Sequence, residues 1–191
     1  MIVAVQSDNP DTVALVALAP LPAGLVIHLT DNAFDGTSFA TNEGTTSLTL
    51  PEVVSAGTVF GFGPNLLYGD SWNSELDKGF SLAAAGDTII VYCTETIEAQ
   101  EKTYLSALSY SGPFLDAGLS DSYGTTSSAL PESITDFAVA LTHLDNYRYI
   151  GSTKGDIDQI KSFLVDEGNW EGSNSIMDSS TFVPADFEIE S

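Results

Sequence analysis

Apolar residues recur along this chain in short runs, and clusters of Gly, Pro, Asn, Asp, Ser and Thr separate them. Residues 2–6 and 12–18 are nearly continuous apolar segments on either side of Ser7-Asp8-Asn9-Pro10-Asp11, a pattern that predicts a hairpin. Further strands are predicted at 24–30, 46–50, 58–62, 88–93, 104–110 and 137–141, with a shorter one at 147–150. Phe182, Val183 and Phe187 suggest a last strand, which Pro184 confines to an edge or bulge. The intervening stretches 31–44, 64–79 and 112–132 read as long loops. One segment breaks the strand pattern: Ile157, Ile160 and Leu164 form a helical stripe, with Asp156 and Asp158 at its start and Gly168 placed to end it. The expected fold is all-β, a two-sheet antiparallel β-sandwich with long loops and one short helix near 156–166. No linker or composition shift divides the chain. It is therefore read as a single domain, 1–191, with 181–191 as an extended C-terminal connector.

Charge narrows the choice of partners. Asp and Glu number 27 against 5 Lys and Arg, for a net charge of −22. The imbalance is a shortage of bases, of which Lys78 is the first, followed by Lys102, Arg148, Lys154 and Lys161. Nucleic acid is not an expected partner, because phosphate binding displaces counterions with Lys and Arg. Anionic membrane surfaces are disfavoured for the same reason, and no apolar run approaches the ~20 residues of a membrane span. Cations and basic protein clients remain compatible. The opening Met-Ile-Val-Ala-Val is too short for a signal-peptide core and lacks a basic flank, so a leader is expected to have been removed.

The search for chemistry returns little. Cys93 is alone and follows an apolar run, which is the pattern of a buried structural thiol. The only histidines, His28 and His143, lie in apparent strands, and alternation places His28 on the face opposite Ile27 and Leu29. No Gly-x-Ser-x-Gly elbow and no zinc-type His or Cys spacing is present. For calcium, Asp31, Asp35 and Gly36 occupy positions 1, 5 and 6 of an EF-hand-like loop, but Ala33 stands at position 3 and Asn42 at position 12, with Glu43 one place late. Asp31, Asp35 and Glu43 are thus the candidate calcium ligands, and Asx-turn chemistry explains the same residues more simply. Asp156-x-Asp158 spaces two carboxylates as a metal pair would, and the helix start accounts for it. Tyr68, Trp72, Tyr104, Tyr110, Tyr123, Tyr147, Tyr149 and Trp170 are candidates for a sugar-binding face or for ordinary strand packing. No catalytic residue, cofactor or metal is expected.

Several landmarks in order resemble one family. Pro22-Ala23-Gly24 with Leu29-Thr30-Asp31-Asn32, then Gly36-Thr37-Ser38-Phe39 and Asn42-Glu43-Gly44-Thr45, are similar to a stretch of secreted bacterial β-sandwich proteins of lamin-tail type. Phe80-Ser81-Leu82 with Gly86-Asp87, Ser128-Ala129-Leu130-Pro131, and Asn169-Trp170-Glu171-Gly172-Ser173 resemble its later landmarks. The resemblance implies a sandwich and no particular activity. In its β-rich character, acidity and lack of a catalytic set, the chain also resembles the pyrenoid shell proteins of diatoms. That likeness implies a non-enzymatic structural protein that self-assembles into a sheet, tube or shell lattice enclosing Rubisco in the chloroplast pyrenoid. The partners are then further copies of itself and, beyond them, a basic client protein. The alternative is a secreted carbohydrate- or calcium-binding adhesion module.

Overall fold

A computed structural model describes residues 1–73, 79–97, 99–118, 126–142 and 144–190, with only the backbone at Ser179 and Ser180. Lys78, Tyr123, His143 and Ser191 lie outside the described residues.

The apolar runs form strands that are mostly buried along their whole length. β1 (Ile2–Gln6) and β2 (Thr12–Val16) make the expected antiparallel hairpin. β3 is Val26–Thr30, β4 Thr45–Thr49, β5 Val59–Phe62, β6 Thr88–Thr94 and β7 Thr103–Ser109. β8 (Ala138–Ala140), β9 (Asn146–Tyr149), β10 (Lys154–Asp156), β11 (Trp170–Ser173) and β12 (Glu188–Glu190) complete the set. One five-stranded sheet runs β11-β9-β1-β2-β5 and the other β4-β3-β6-β7-β8, while β10 and β12 form a separate parallel pair. The second sheet is antiparallel except at its edge, where β8 joins β7 in parallel. This is the sandwich expected from the strand pattern.

The main core lies between the sheets and includes Val5, Leu15, Ile27, Leu29, Val91 and Leu108. A second, smaller cluster explains why β3 and β6 are buried on both faces. Phe34, Ile90, Ala107, Ala129 and Ile134 pack on the outer side of the second sheet. The loop 31–44 therefore acts as a cover: Phe34 N–H donates to Ser128 Oγ, and Phe34 C=O accepts from Ala129 N–H.

α1 (Ile157–Leu164) falls inside the expected helix. Asp156 is its N-cap rather than a first-turn residue, and a reciprocal pair with Gln159 forms a capping box. Ile160 and Leu164 are buried, while Ile157 stays largely exposed. The chain's end departs from expectation. Phe182 closes a one-turn helix, α2 (Ser179–Phe182), and the last strand lies at Glu188–Glu190. Pro184, which has no N–H to give a ladder, separates the two. Among the described residues no helix is long and apolar enough to cross a membrane.

Candidate functional site

Two segments outside the two large sheets lie against the sandwich as straps, and both are held by carboxylates. The first is Phe80–Ala83. Its three consecutive N–H groups each meet a different aspartate: Ser81 donates to Asp31 (3.1 Å), Leu82 to Asp11 (2.8 Å) and Ala83 to Asp87 (3.1 Å). Asp11 precedes β2, Asp31 follows β3 and Asp87 precedes β6, so both sheets contribute. The other oxygens of two of these acids are also used: Asp31 accepts from Gly44 N–H and Asp87 from Thr88 N–H, each at 2.7 Å. Tyr110 Oη donates to Ala83 C=O. Gly44 is required here, because any Cβ would overlap the backbone of Gly79 and Phe80.

The electrostatics of this end follow from burial. Asp31 and Asp87 are 3% and 1% exposed. Desolvation raises the pKa values of Asp11 and Asp31, and pushes Asp87 up to about 8 and nearby Glu43 up to about 7, with Asp31 adding like-charge repulsion to both. None of the ion pairs among the described residues reaches this group.

This geometry places the candidate calcium ligands. Asp31 adds charge repulsion to Glu43, but both Asp31 oxygens are already occupied by backbone N–H groups. Asp35 is exposed and accepts from Thr37 and Ser38 N–H at 2.7 Å, an Asx turn of the kind the loop composition suggests. Among the described residues no three His, Cys, Asp or Glu side chains converge as metal ligands.

His28 lies on the face opposite Ile27 and Leu29 but is 2% exposed, because the 31–44 cover lies over that side of the sheet. Its ring stacks on Tyr92 at 4.5 Å and its Nε2 bonds Thr94 Oγ1 at 2.8 Å. Burial, with Lys102 nearby, holds its pKa at about 4, so it is neutral at physiological pH. The Cys93 thiol is half-buried, and desolvation raises its pKa. The aromatic candidates do not assemble into one platform. Trp72 and Trp170 are buried with their Nε1 groups on Gly61 and Leu164 carbonyls, and the Tyr147 and Tyr149 hydroxyls donate to Thr142 and Ser152. Asp158 is 94% exposed beside Lys161.

The second strap is the C-terminal segment after α2. Phe187 is buried against Tyr149, with ring centroids 5.9 Å apart. Its N–H donates to Gly57 C=O, and Glu188 N–H donates to Thr153 C=O. Asp186 accepts from Val59 N–H at the edge of β5 (2.8 Å). Gly57, at φ +87°, permits the approach, since a Cβ there would overlap Phe187 C=O. Beyond this point Ile189 is partly buried against the main core, while the charged side chains lie outside: Lys154 pairs with Glu188 at 2.9 Å and Glu190 at 3.9 Å across the β10–β12 ladder. The segment expected to project as a connector is thus folded onto its own domain.

Sequence reasoning named Asp11 as a turn residue, Asp87 as a landmark of the resemblance beside Phe80-Ser81-Leu82 and Phe187 as a strand residue, but none of them as an anchor of a strap. An available signal was the position of Asp11 and Asp87, each immediately before an apolar strand. Compared with protein-family models, curated proteins and solved structures, the chain matches none.

Proposed function

We propose that this domain is a non-enzymatic structural protein that self-assembles, and that its C-terminal strap is the joining element. The observation that carries this reading is the docking of residues 186–190 through one aromatic plug, one carboxylate and a three-residue parallel ladder. A segment held this way can make the same contacts on a neighbour. Exchange of an identical element is a low-cost route to association, and head-to-tail exchange that does not close gives open lattices or tubes. The hinge would be Val183-Pro184-Ala185, between α2 and the plug. The resemblance to pyrenoid shell proteins supplies the setting: a chloroplast lattice around Rubisco.

At −22 per copy, like-charge repulsion opposes packing, so assembly should strengthen as salt or divalent cations screen it. Light scattering against ionic strength, with negative-stain electron microscopy of the same samples, tests the reading. Ordered sheets or tubes that grow with salt are expected from the full chain. Deleting 181–191, or replacing Phe187→Ala in a chain that still gives a folded circular-dichroism spectrum, should leave monomers. A full chain that stays monomeric in every condition, or a Phe187→Ala variant that assembles normally, rejects the strap as connector.

A second reading, a carbohydrate-binding adhesion module, is favoured by one feature. An open cleft of about 570 Å³ beside the first strap brings Phe62 and Trp72 together with Asn9, Asp11, Asp70 and Ser81. Oligosaccharide binding lost in Phe62→Ala, without assembly of the parent, would support that reading instead.

A further inference from the structure

The two sheets do not close on each other everywhere. Between them lies an apolar cavity of about 170 Å³. Leu15 and Phe60 of the first sheet face Ile27, Val91 and Leu105 of the second across it. Apart from Lys161, every residue that lines it is apolar. Lys161 projects from α1, its side chain is 30% exposed, and its Nζ sits 4.9 Å from the Phe137 ring centroid. A partly exposed side chain that also lines the cavity marks the place where the cavity meets solvent. Its ion-pair partner, Asp158, is almost wholly in water at 3.6 Å, an arrangement that contributes little and is easily exchanged.

A void of this kind forfeits dispersion contacts on every wall, so a guest of matching shape gains them without displacing well-bound water. A cavity of about 150 Å³ lined by Leu, Ile and Phe takes a benzene-sized guest, so the present one suits a chain or ring of roughly six carbons. The cation decides the headgroup. Only five basic residues occur in the chain, and one of them stands at the mouth of this cavity. A carboxylate or similar anion on the guest would replace the weak Asp158 pair with one at the edge of an apolar wall, where attraction is less screened.

We infer that the cavity between the sheets is a binding site for a small amphipathic anion, with its apolar tail among Leu15, Ile27, Phe60 and Leu105 and its anionic head on Lys161. The site is independent of the C-terminal strap, whose anchors Gly57, Tyr149 and Phe187 do not line it.

The protein's own field sharpens the test. At −22 the chain as a whole attracts cations and repels anions, so a preference for an anionic guest must come from a local cation. That cation is Lys161, because the other amine at the lining, on Met1, is buried, donates to Val16 C=O and has its pKa lowered to about 5. The full chain, methyl-labelled, is titrated with hexanoate, hexylammonium and hexanol at moderate salt, and methyl resonances of Leu15, Leu21, Val91 and Leu105 are followed by NMR. Hexanoate should shift these methyls saturably and bind roughly five- to tenfold tighter than hexylammonium. Lys161→Gln, which keeps a long side chain of good helix propensity at this partly exposed position, should abolish that preference while hexanol binding is unchanged. Three results would overturn the inference: no shift with any guest, equal shifts with all three, or a hexanoate preference that survives Lys161→Gln.

Discussion

The two straps are built from the same parts with opposite consequences. Each lays backbone over a glycine that has no room for a Cβ, Gly44 for one and Gly57 for the other, and each offers N–H groups to aspartates or lies beside one. The first strap, Phe80–Ala83, sets two buried carboxylates and one half-buried one, from both sheets, on three successive N–H groups. The second relies on a single exposed carboxylate, Asp186, the Phe187 plug with partly buried Ile189, main-chain bonds to Gly57 and Thr153, and exposed ion pairs. Buried acceptors whose partners cannot reach water tie a segment to the whole fold, whereas half-exposed ones can be replaced by solvent. The first strap therefore belongs to the fold, and the second is the part able to leave it.

The largest expected effect tests that division directly. Asp31→Ala orphans the N–H groups of Ser81 and Gly44, at about 1–3 kcal/mol each, while relieving the unfavourable burial of the charge itself. A net loss of about 2–4 kcal/mol is expected in chemical denaturation. Asp186→Ala orphans only Val59 N–H, at the edge of β5, and should cost about 1 kcal/mol. Equal losses would erase the distinction between the straps.

The next effect is the response to pH, to which the first strap's end contributes with one sign and other buried groups with the opposite one. In the folded chain Asp87 titrates at about 8 and Glu43 at about 7, against ordinary values of 3.8 and 4.5. Between the two sets of values the folded state holds protons that the unfolded state has released. Stability therefore rises as pH falls through 8 and 7, and is lost as pH rises. His28 acts in the other direction, since its folded value of about 4 lies below the ordinary 6.5 and stability is lost as pH falls between them. The buried Met1 amino group acts as His28 does, since its folded value of about 5 lies below the ordinary 8.0, so the carboxyls are read by difference. In thermal melts the stability of the parent relative to Asp87→Asn should fall as pH rises from about 4 to about 8. A difference that instead grows over that range would show that Asp87 is not held protonated.

How much of this could be read from sequence differs between the two straps for a physical reason. Central strands such as 2–6, 12–16 and 26–30 announce themselves, because strands buried on both faces are largely apolar along the run, with a few bonded polar residues such as His28. The α1 stripe and its acidic start were equally plain. β11 and β12 were not, since an edge strand like Trp-Glu-Gly-Ser or Glu-Ile-Glu needs few apolar side chains. The carboxylate end was hidden differently. Asp31 reads as a candidate calcium ligand in a loop until Ser81, 50 residues on, is brought to its Oδ2. The same loop gives the contrast: Asp35 bonds its own neighbours at 37 and 38, and its Asx turn was legible from composition. The inter-sheet cavity left no sequence trace, because a void is a property of how two sheets meet.

The smallest effect concerns the outermost contacts of the second strap. Lys154 pairs with Glu188 and Glu190, and all three side chains are more than half exposed. Exposed pairs of this kind contribute about 0–1 kcal/mol and are screened by salt. Lys154→Ala should therefore leave the monomer's stability nearly unchanged. Its expected consequence lies in exchange. Lys154 is on β10 and both glutamates are on β12, so the pair bridges the two strands of the ladder whether β12 comes from the same copy or from a neighbour. Losing it weakens closed and swapped forms alike and should speed the opening of the strap. Hydrogen exchange at the Phe187 and Glu188 amides, which donate to Gly57 and Thr153, reads this opening. Faster exchange at those amides with unchanged protection at Ser81, Leu82 and Ala83 is expected. Protection lost at both straps together would mean that they open as one unit, and the C-terminal segment would then not be separable from the fold.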